Sequence, residues 1–301
     1  MSKKILIFGG SGFIGSSLTK SLLKQNNQIC VICTNTKKAL DKIGNSKNLQ
    51  IKTIDLFSNS QIKNLVKDYD VIINLIGKLY EAKKDDFIKF HHRFPELLSQ
   101  NISDQQQLLQ LSALGIEESC QTSIYAKTKL DGQKAIINNS NNYNIIKPSI
   151  VFGDQDNFFN LFSKMTKISP FLPLIGGGEA RFSPIYVEDL VKSIVYLIEH
   201  NKKYKNQIFE AHGPDISSFK ELMQFILKTT NKKRLLINLP FFISKLQARL
   251  LNLLKIYLLT SDQVELLKYD NISSNGYDNI NTIIGDLKSY KEIVPQYLGQ
   301  K

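Results

Sequence analysis

The sequence predicts a doubly wound α/β fold with a parallel sheet and a smaller, mostly helical C-terminal lobe. Three observations carry this: short apolar runs alternate with helical segments through the first half, a glycine-rich turn joins the first such pair, and the alternation loosens after Pro148. The apolar runs lie at 4–8, 28–33, 49–54, 71–75, 107–111 and 143–147. Helical segments separate them at about 14–24, 59–68, 85–101 and 122–138. Strands alternating with helices of this length specify βαβ units with right-handed crossovers. A sheet covered on both faces also has strands that read as nearly continuous Val, Ile and Leu.

Beyond Pro148 the expected helices are 157–167, 187–199 and 217–229, with extended pieces at 182–186 and 207–211. Gly176, Gly177 and Gly178 mark a flexible turn. A long apolar helix with basic interruptions is expected over 239–259, and the Asn-rich stretch 271–281 reads as irregular surface. The expected division is a nucleotide-binding domain over 1–150, to which later segments return, and a substrate or partner lobe over 151–301.

Composition narrows the class. The 301 residues are 42% hydrophobic and 22% charged, which excludes a disordered chain. No run of about 18 apolar residues predicts a membrane span. The apolar run 5–8 meets Gly9 and Gly10 too early for a signal peptide. The expected location is therefore the cytoplasm, or the equivalent matrix of an organelle. Cys30 and Cys33 have redox-motif spacing. On a strand, however, they face opposite ways with Cα atoms roughly 10 Å apart, too far for a disulfide. The four histidines match no zinc spacing, so no metal is expected.

The net charge of +12 is uneven. Residues 201–259 carry eleven basic and three acidic side chains, a basic surface that suits an acidic partner or an anionic membrane. Nucleic acid is not expected, because no aromatic-studded sheet or groove-reading motif accompanies the charge. In the 241–259 helix, Lys245, Arg249 and Asn252 share one side, with Lys255 nearby. Phe242, Ile243, Leu246, Leu250, Leu253, Leu254 and Tyr257 form the opposite stripe. Two placements follow: the helix lies on a membrane surface or partner, or its stripe caps the lobe.

The chemistry begins at the glycine turn. Gly9, Gly12 and Gly15, with Phe13 and Ile14 between the last two, follow the first strand and open the first helix. Gly9 permits the tight turn, Gly12 lets backbone approach a pyrophosphate, and Gly15 lets helix and strand pack closely. The helix N-terminus then offers free N–H groups to phosphate. At the second strand's end, where an acid would bond a ribose 2′-hydroxyl, stand Thr34, Asn35, Lys37 and Lys38, which suit a phosphate. Asp55 and Leu56 after the third strand suit the adenine. Leu75, Ile76 and Gly77 end the fourth strand where the cofactor would cross, and Pro148 ends the sixth. Tyr125 and Lys129, four apart, project from one helix face. The ammonium is expected to lower the phenol's pKa and make Tyr125 an acid/base group. Ser112, at the fifth strand's end, is placed to bond a substrate oxygen.

In these residues the chain resembles the short-chain dehydrogenase/reductase superfamily in its extended form. The ordered series 111–115, 125–129, 146–153, Asp156, 184–189 and 259–263 resembles more narrowly the dehydrogenase-like accessory subunit family of respiratory complex I and its bacterial relatives. That resemblance implies a tightly held NADP(H) on Gly9, Gly12 and Gly15, with Tyr125 and Lys129 on the nicotinamide ribose. It also implies complex I subunits or quinone-pathway proteins as partners and a peripheral position on the inner membrane. Thr34 replaces the basic residue typical of the second strand's end, so NADP(H) and NAD(H) both stay open. Two functions follow. One is an accessory protein whose cofactor is mainly structural. The other is an active oxidoreductase or epimerase on a nucleotide sugar or small alcohol or ketone, using Asn157 and Arg181 for substrate.

Overall fold

The computed structural model describes residues 2–253, 259–274 and 276–298. Strands β1 (Lys4–Phe8), β2 (Gln28–Ile32), β3 (Leu49–Lys52), β4 (Val71–Asn74), β5 (Gln107–Leu111) and β6 (Tyr143–Pro148) are joined by helical crossovers. These are α1 (Phe13–Lys24), α2 (Thr36–Ile43), α3 (Asn59–Val66), α4 (Phe94–Gln100), α5 (Ile116–Ser119) and α6 (Ile124–Asn139). The sheet runs β3-β2-β1-β4-β5-β6 and continues through Gln207–Ala211 to Asp278–Asn279, all parallel. The strand order reverses between β1 and β4, the crevice in which open α/β sheets bind their ligands.

Both faces are sealed, which is why the strands lack polar alternation. On one face Ile5, Ile7, Val31 and Ile73 pack with α1 and the helix Val187–Glu199. On the other, Leu6, Phe8, Ile32 and Ile72 pack with Ile62, Phe94 and Ile136 from α3, α4 and α6. A third cluster fills the C-terminal lobe, with Phe152, Phe159, Leu172, Phe219, Leu222 and Tyr290 at its centre.

The structure departs from the sequence reading in three places. Residues 36–43 form α2, a helix absent from that reading. The expected helix 85–101 is a π-helical turn, Ile88–Arg93, running into α4. The irregular 271–281 stretch contributes Asp278–Asn279 to the sheet edge. The helix expected over 239–259 is described as Phe241–Leu253, so the expectations for Leu254, Lys255 and Tyr257 lie outside the described residues. Cys30 is buried, Cys33 half-buried, and both are free thiols. Among the described residues no three potential ligands cluster for a metal, and no helix is long and apolar enough to cross a membrane.

Candidate functional site

The glycine loop is built by close approach of backbone. Gly9 sits in the left-handed region at φ +80°. A Cβ there would lie 3.2 Å from the Leu75 carbonyl carbon and 3.3 Å from the Ile76 nitrogen, so the loop presses directly on the end of β4. A Cβ on Gly15 would stand 2.2 Å from the Gly9 carbonyl oxygen, which leaves no room for any side chain. Gly12 is different: its Cβ would meet that oxygen at 3.3 Å, a contact that needs only a small shift. Glycine at 12 therefore leaves the outer surface open, whereas glycine at 15 is needed for packing. Gly12 begins α1 with no side-chain cap and no acid in the first turn. In contrast Asn35 and Ser123 cap α2 and α6 with side-chain oxygens. An uncapped helix start lined by glycine, with a cradle that a Cβ would fill, fits a phosphate-bearing group.

From this loop a continuous strip of residues leads to Lys129. Gly9 touches the 75–76 backbone, and a Cβ on the next residue, Gly77, would lie 3.6 Å from Lys129 Nζ. Lys129 is buried and donates to the Leu111 carbonyl at 3.2 Å. Desolvation pushes its pKa down to about 8. The structure thus gathers the ends of β1, β4 and β5 and one face of α6. The Pro148 carbonyl, at the end of β6, accepts from Leu114 N–H at 3.0 Å.

Tyr125 does not behave as the sequence reading expects. Its pKa is pushed up to about 12, by burial first and then by the charge of Asp262. Its ring meets Phe87 and His91 edge-on, at 5.7 and 5.1 Å between centroids. His91 Nε2 accepts from Lys78 N–H at 3.0 Å, which leaves Nδ1 as the protonated nitrogen facing Thr128 Oγ1 at 3.3 Å. Burial, and then the positive charges of Lys129 and Lys78, push the His91 pKa down to about 2 and keep the ring neutral. The π-helical turn puts the His91 carbonyl against Gly132 of α6, where a Cβ would lie only 1.9 Å from its oxygen.

Asp262 comes from the C-terminal lobe to close the start of α6. Its carboxylate accepts from Ser123 Oγ at 2.8 Å, Ile124 N–H at 2.7 Å and Tyr125 N–H at 3.3 Å. The side chain of Gln263 then donates to the Leu79 carbonyl. Sequence reasoning misses Asp262, His91 and Thr128 as site neighbours. It singles out the segment 259–263, but nothing local to that segment shows what its carboxylate caps.

The remaining predicted residues are dispersed or occupied. Ser112 is buried and its hydroxyl donates to Gln133 at 3.4 Å. Thr34 and Lys37 are exposed at the end of β2, whereas the Asn35 oxygen accepts from Lys38 N–H as the cap of α2. Asp55 is exposed and accepts from Phe57 N–H, and Leu56 packs on the sheet's core. Arg181, assigned to substrate in the enzymatic reading, is held by Asp270 through Nε at 3.0 Å and Nη2 at 2.6 Å.

A parallel sheet with this switch point and an uncapped glycine-rich first turn defines the class of Rossmann-type dinucleotide-binding folds. Residues 5–211 match the NAD dependent epimerase/dehydratase family, and the chain belongs to that family. It is 28% identical over 248 residues to NADH dehydrogenase (ubiquinone) 1 alpha subcomplex subunit 9, mitochondrial, of Arabidopsis thaliana, covering 80% of this chain and 61% of that protein. To the NADH-ubiquinone oxidoreductase 40 kDa subunit of Neurospora crassa it is 22% identical over 250 residues, covering 82% and 65%. The chain thus spans a little over three-fifths of the length of these relatives. The fold is also that of DesIV, a dTDP-glucose 4,6-dehydratase of Streptomyces venezuelae solved with NAD bound. The TM-score is 0.75 at 15% identity, over 98% of this chain and 95% of that one.

Proposed function

We propose that this protein is an accessory component of a respiratory NADH:ubiquinone oxidoreductase that holds a nicotinamide dinucleotide, NADP(H) or NAD(H), for a mainly structural purpose. The relatives from Arabidopsis and Neurospora support the assembly. The site supports the division between binding and turnover. Its phosphate end is open and glycine-lined, but the phenol that would carry a proton is raised, not lowered, and shares its surroundings with Asp262. The relatives carry the reading, and the surroundings of Tyr125 support it.

In it, Gly9, Gly12 and Gly15 with Phe13 and Ile14 hold the pyrophosphate. Leu75, Ile76, Gly77 and Pro148 line the crossing, and Lys129 donates to the nicotinamide ribose beside Tyr125. The nucleotide supplies bound mass and hydrogen bonds that tie the strand ends together. Asp55 and Leu56 border the adenine. Thr34, Asn35 and Lys37, with no acid among them, leave room for a 2′-phosphate. The lobe beyond residue 150 faces the partner.

The test is purification from native membranes with mass spectrometry of co-purifying subunits and of the retained nucleotide, followed by Tyr125→Phe. Expected are respiratory-complex subunits, a retained dinucleotide, and a variant that binds nucleotide and assembles like wild type. A nucleotide-sugar turnover that Tyr125→Phe lowers by about 10²–10⁴-fold, the usual cost of losing an acid/base group, overturns this reading in favour of an enzyme.

A further inference from the structure

The C-terminal lobe turns an apolar face outward. The sequence reading sets Lys245, Arg249 and Asn252 opposite an apolar stripe that either meets a membrane or partner or caps the lobe; the helix Phe241–Leu253 turns residues of that stripe outward. Lys245 forms an ion pair with Glu265, which also binds Lys268. The inward residues are Ser244 and Ala248, the latter in a small cluster with Ile175 and Val264. Phe242 (73% exposed), Ile243, Leu246 and Leu250 are left in solvent. Three of these recur at i, i+4 and i+8, one stripe along the helix.

The strand pair leading into this helix does the same. Leu235–Leu239 pairs in parallel with Phe171–Ile175, in a register that sets Leu235 beside Phe171 and Leu236 beside Leu172. Leu172 lies in the lobe's core with Leu236 packed against it, whereas Leu235, Phe171 and Ile237 face out. The Phe241 ring fills the space over Gly176, which keeps the start of the helix against the end of this strand pair. Exposed apolar residues grouped this way mark an interaction surface.

The charges of the segments that build it are of one sign, although Glu265 is held between Lys245 and Lys268 and the exposed Glu179 stands by Gly177 at its edge. No Asp or Glu occurs from residue 222 to 261, or from 157 to 178, the segments that build the face. Basic residues do occur there, with Lys164, Lys228, Lys232, Lys233 and Arg249 all exposed. A protein interface would draw on both signs at its rim. An apolar stripe bordered mainly by cations matches acyl chains beneath anionic headgroups. We propose that this face, the helix Phe241–Leu253 with the strand pair beside it, docks on the surface of an anionic membrane. It lies on the bilayer, since none of its described helices can cross one. The argument uses no property of the nucleotide site.

The experiment is co-sedimentation of the full chain with vesicles of phosphatidylcholine alone or with phosphatidylglycerol, at low salt and in about 0.5 M NaCl, where screening is short-ranged. Wild type should pellet with the anionic vesicles at low salt, at least tenfold more than with neutral ones, and salt should release it. Phe242→Glu with Leu246→Glu should abolish pelleting while leaving the melting temperature unchanged, because both side chains are already in solvent. Lys232→Glu, Lys233→Glu and Arg249→Glu together should weaken pelleting at least tenfold at low salt. Wild type that stays in solution with anionic vesicles at low salt overturns the proposal. So does equal binding to neutral vesicles, or full pelleting of the variant changed at Phe242 and Leu246. Because no nucleotide enters the assay, its failure is distinct from failure of the dinucleotide reading.

Discussion

The two ends of the proposed nucleotide groove are built on opposite plans. At the phosphate end α1 starts without a cap, Gly12 leaves the surface open, and no side chain caps the helix's positive end. At the other end most side chains are engaged. Asp262 caps α6, His91 is fixed between Lys78 and Thr128, the Ser112 hydroxyl is turned to Gln133, and Tyr125 sits among rings. A helix N-terminus left unsatisfied inside a fold is stabilised by whatever binds there. One that is capped internally is stable alone. On the proposed reading, the contrast means that holding a nucleotide and carrying out chemistry are separable in this fold.

The largest effects should come from the phosphate end, where two glycines distinguish packing from binding. Gly15→Ala drives a Cβ into backbone atoms that cannot swing away, so it should cost the fold about 1–3 kcal/mol or more and remove nucleotide binding with it. Gly12→Val meets only the Gly9 carbonyl oxygen near its Cβ, at 3.3 Å, but would obstruct the pyrophosphate. Its melting temperature without nucleotide should stay near wild type, while the stabilisation by saturating dinucleotide, about 2.7 kcal/mol at a hundredfold excess over Kd, should vanish. Thermal shift with and without NADPH checks both. Nucleotide stabilisation that survives in Gly12→Val would sink the assignment of the phosphate end.

The next effect is pH dependence at the closed end. The His91 pKa lies near 2 in the folded chain and near 6.5 when unfolded, so between these values only the unfolded chain takes up the proton. Its stabilising contribution is complete above pH 6.5 and falls with pH, by about 1.4 kcal/mol per unit. Between pH 6.5 and 5, before most carboxylates titrate, denaturant unfolding of wild type should show this slope and His91→Gln should flatten it. Equal slopes would mean that the imidazole reaches water in the folded state.

What the sequence discloses and what it hides divide along the same line. The six strands and the glycine turn are legible because each is a local pattern: an apolar run, then glycines at fixed spacing, then a helix. The residues that close the other end are not. Asp262 meets Ile124 across 138 positions, and His91 acts through a π-helical turn that reads as ordinary helix in sequence. The Tyr-x-x-x-Lys spacing correctly puts two side chains on one face. It does not reveal that burial and Asp262, not the ammonium, set the direction of the phenol's pKa. At α2, Asn35 reads as a phosphate contact because a helix cap and a ligand donor use the same residue types. The roll of Phe241–Leu253 escapes the sequence for a related reason, since amphipathic spacing defines a stripe without saying which side the protein keeps.

The smallest expected effect tests the closure itself. Asp262→Asn keeps a carbonyl oxygen for one N–H at the start of α6 but removes the charge that the helix's positive end attracts. A cap of this kind contributes about 0.5–2 kcal/mol, and replacing the carboxylate by an amide should forfeit part of it. In a chain of this size the melting temperature should fall by about 1–3 °C. A general weakening would do that too, so a second readout is needed. The carboxylate raises the Tyr125 pKa, so its removal should lower the phenol's titration. The Tyr125 signal is isolated as the ultraviolet difference between chains with and without Tyr125→Phe, measured in both the wild-type and the Asp262→Asn background. A small loss of stability with an unmoved phenol would show that Asp262 closes the helix without tuning Tyr125. An unchanged melting temperature together with an unmoved phenol would show that the closure has no energetic role, and the contrast between the two ends would fail.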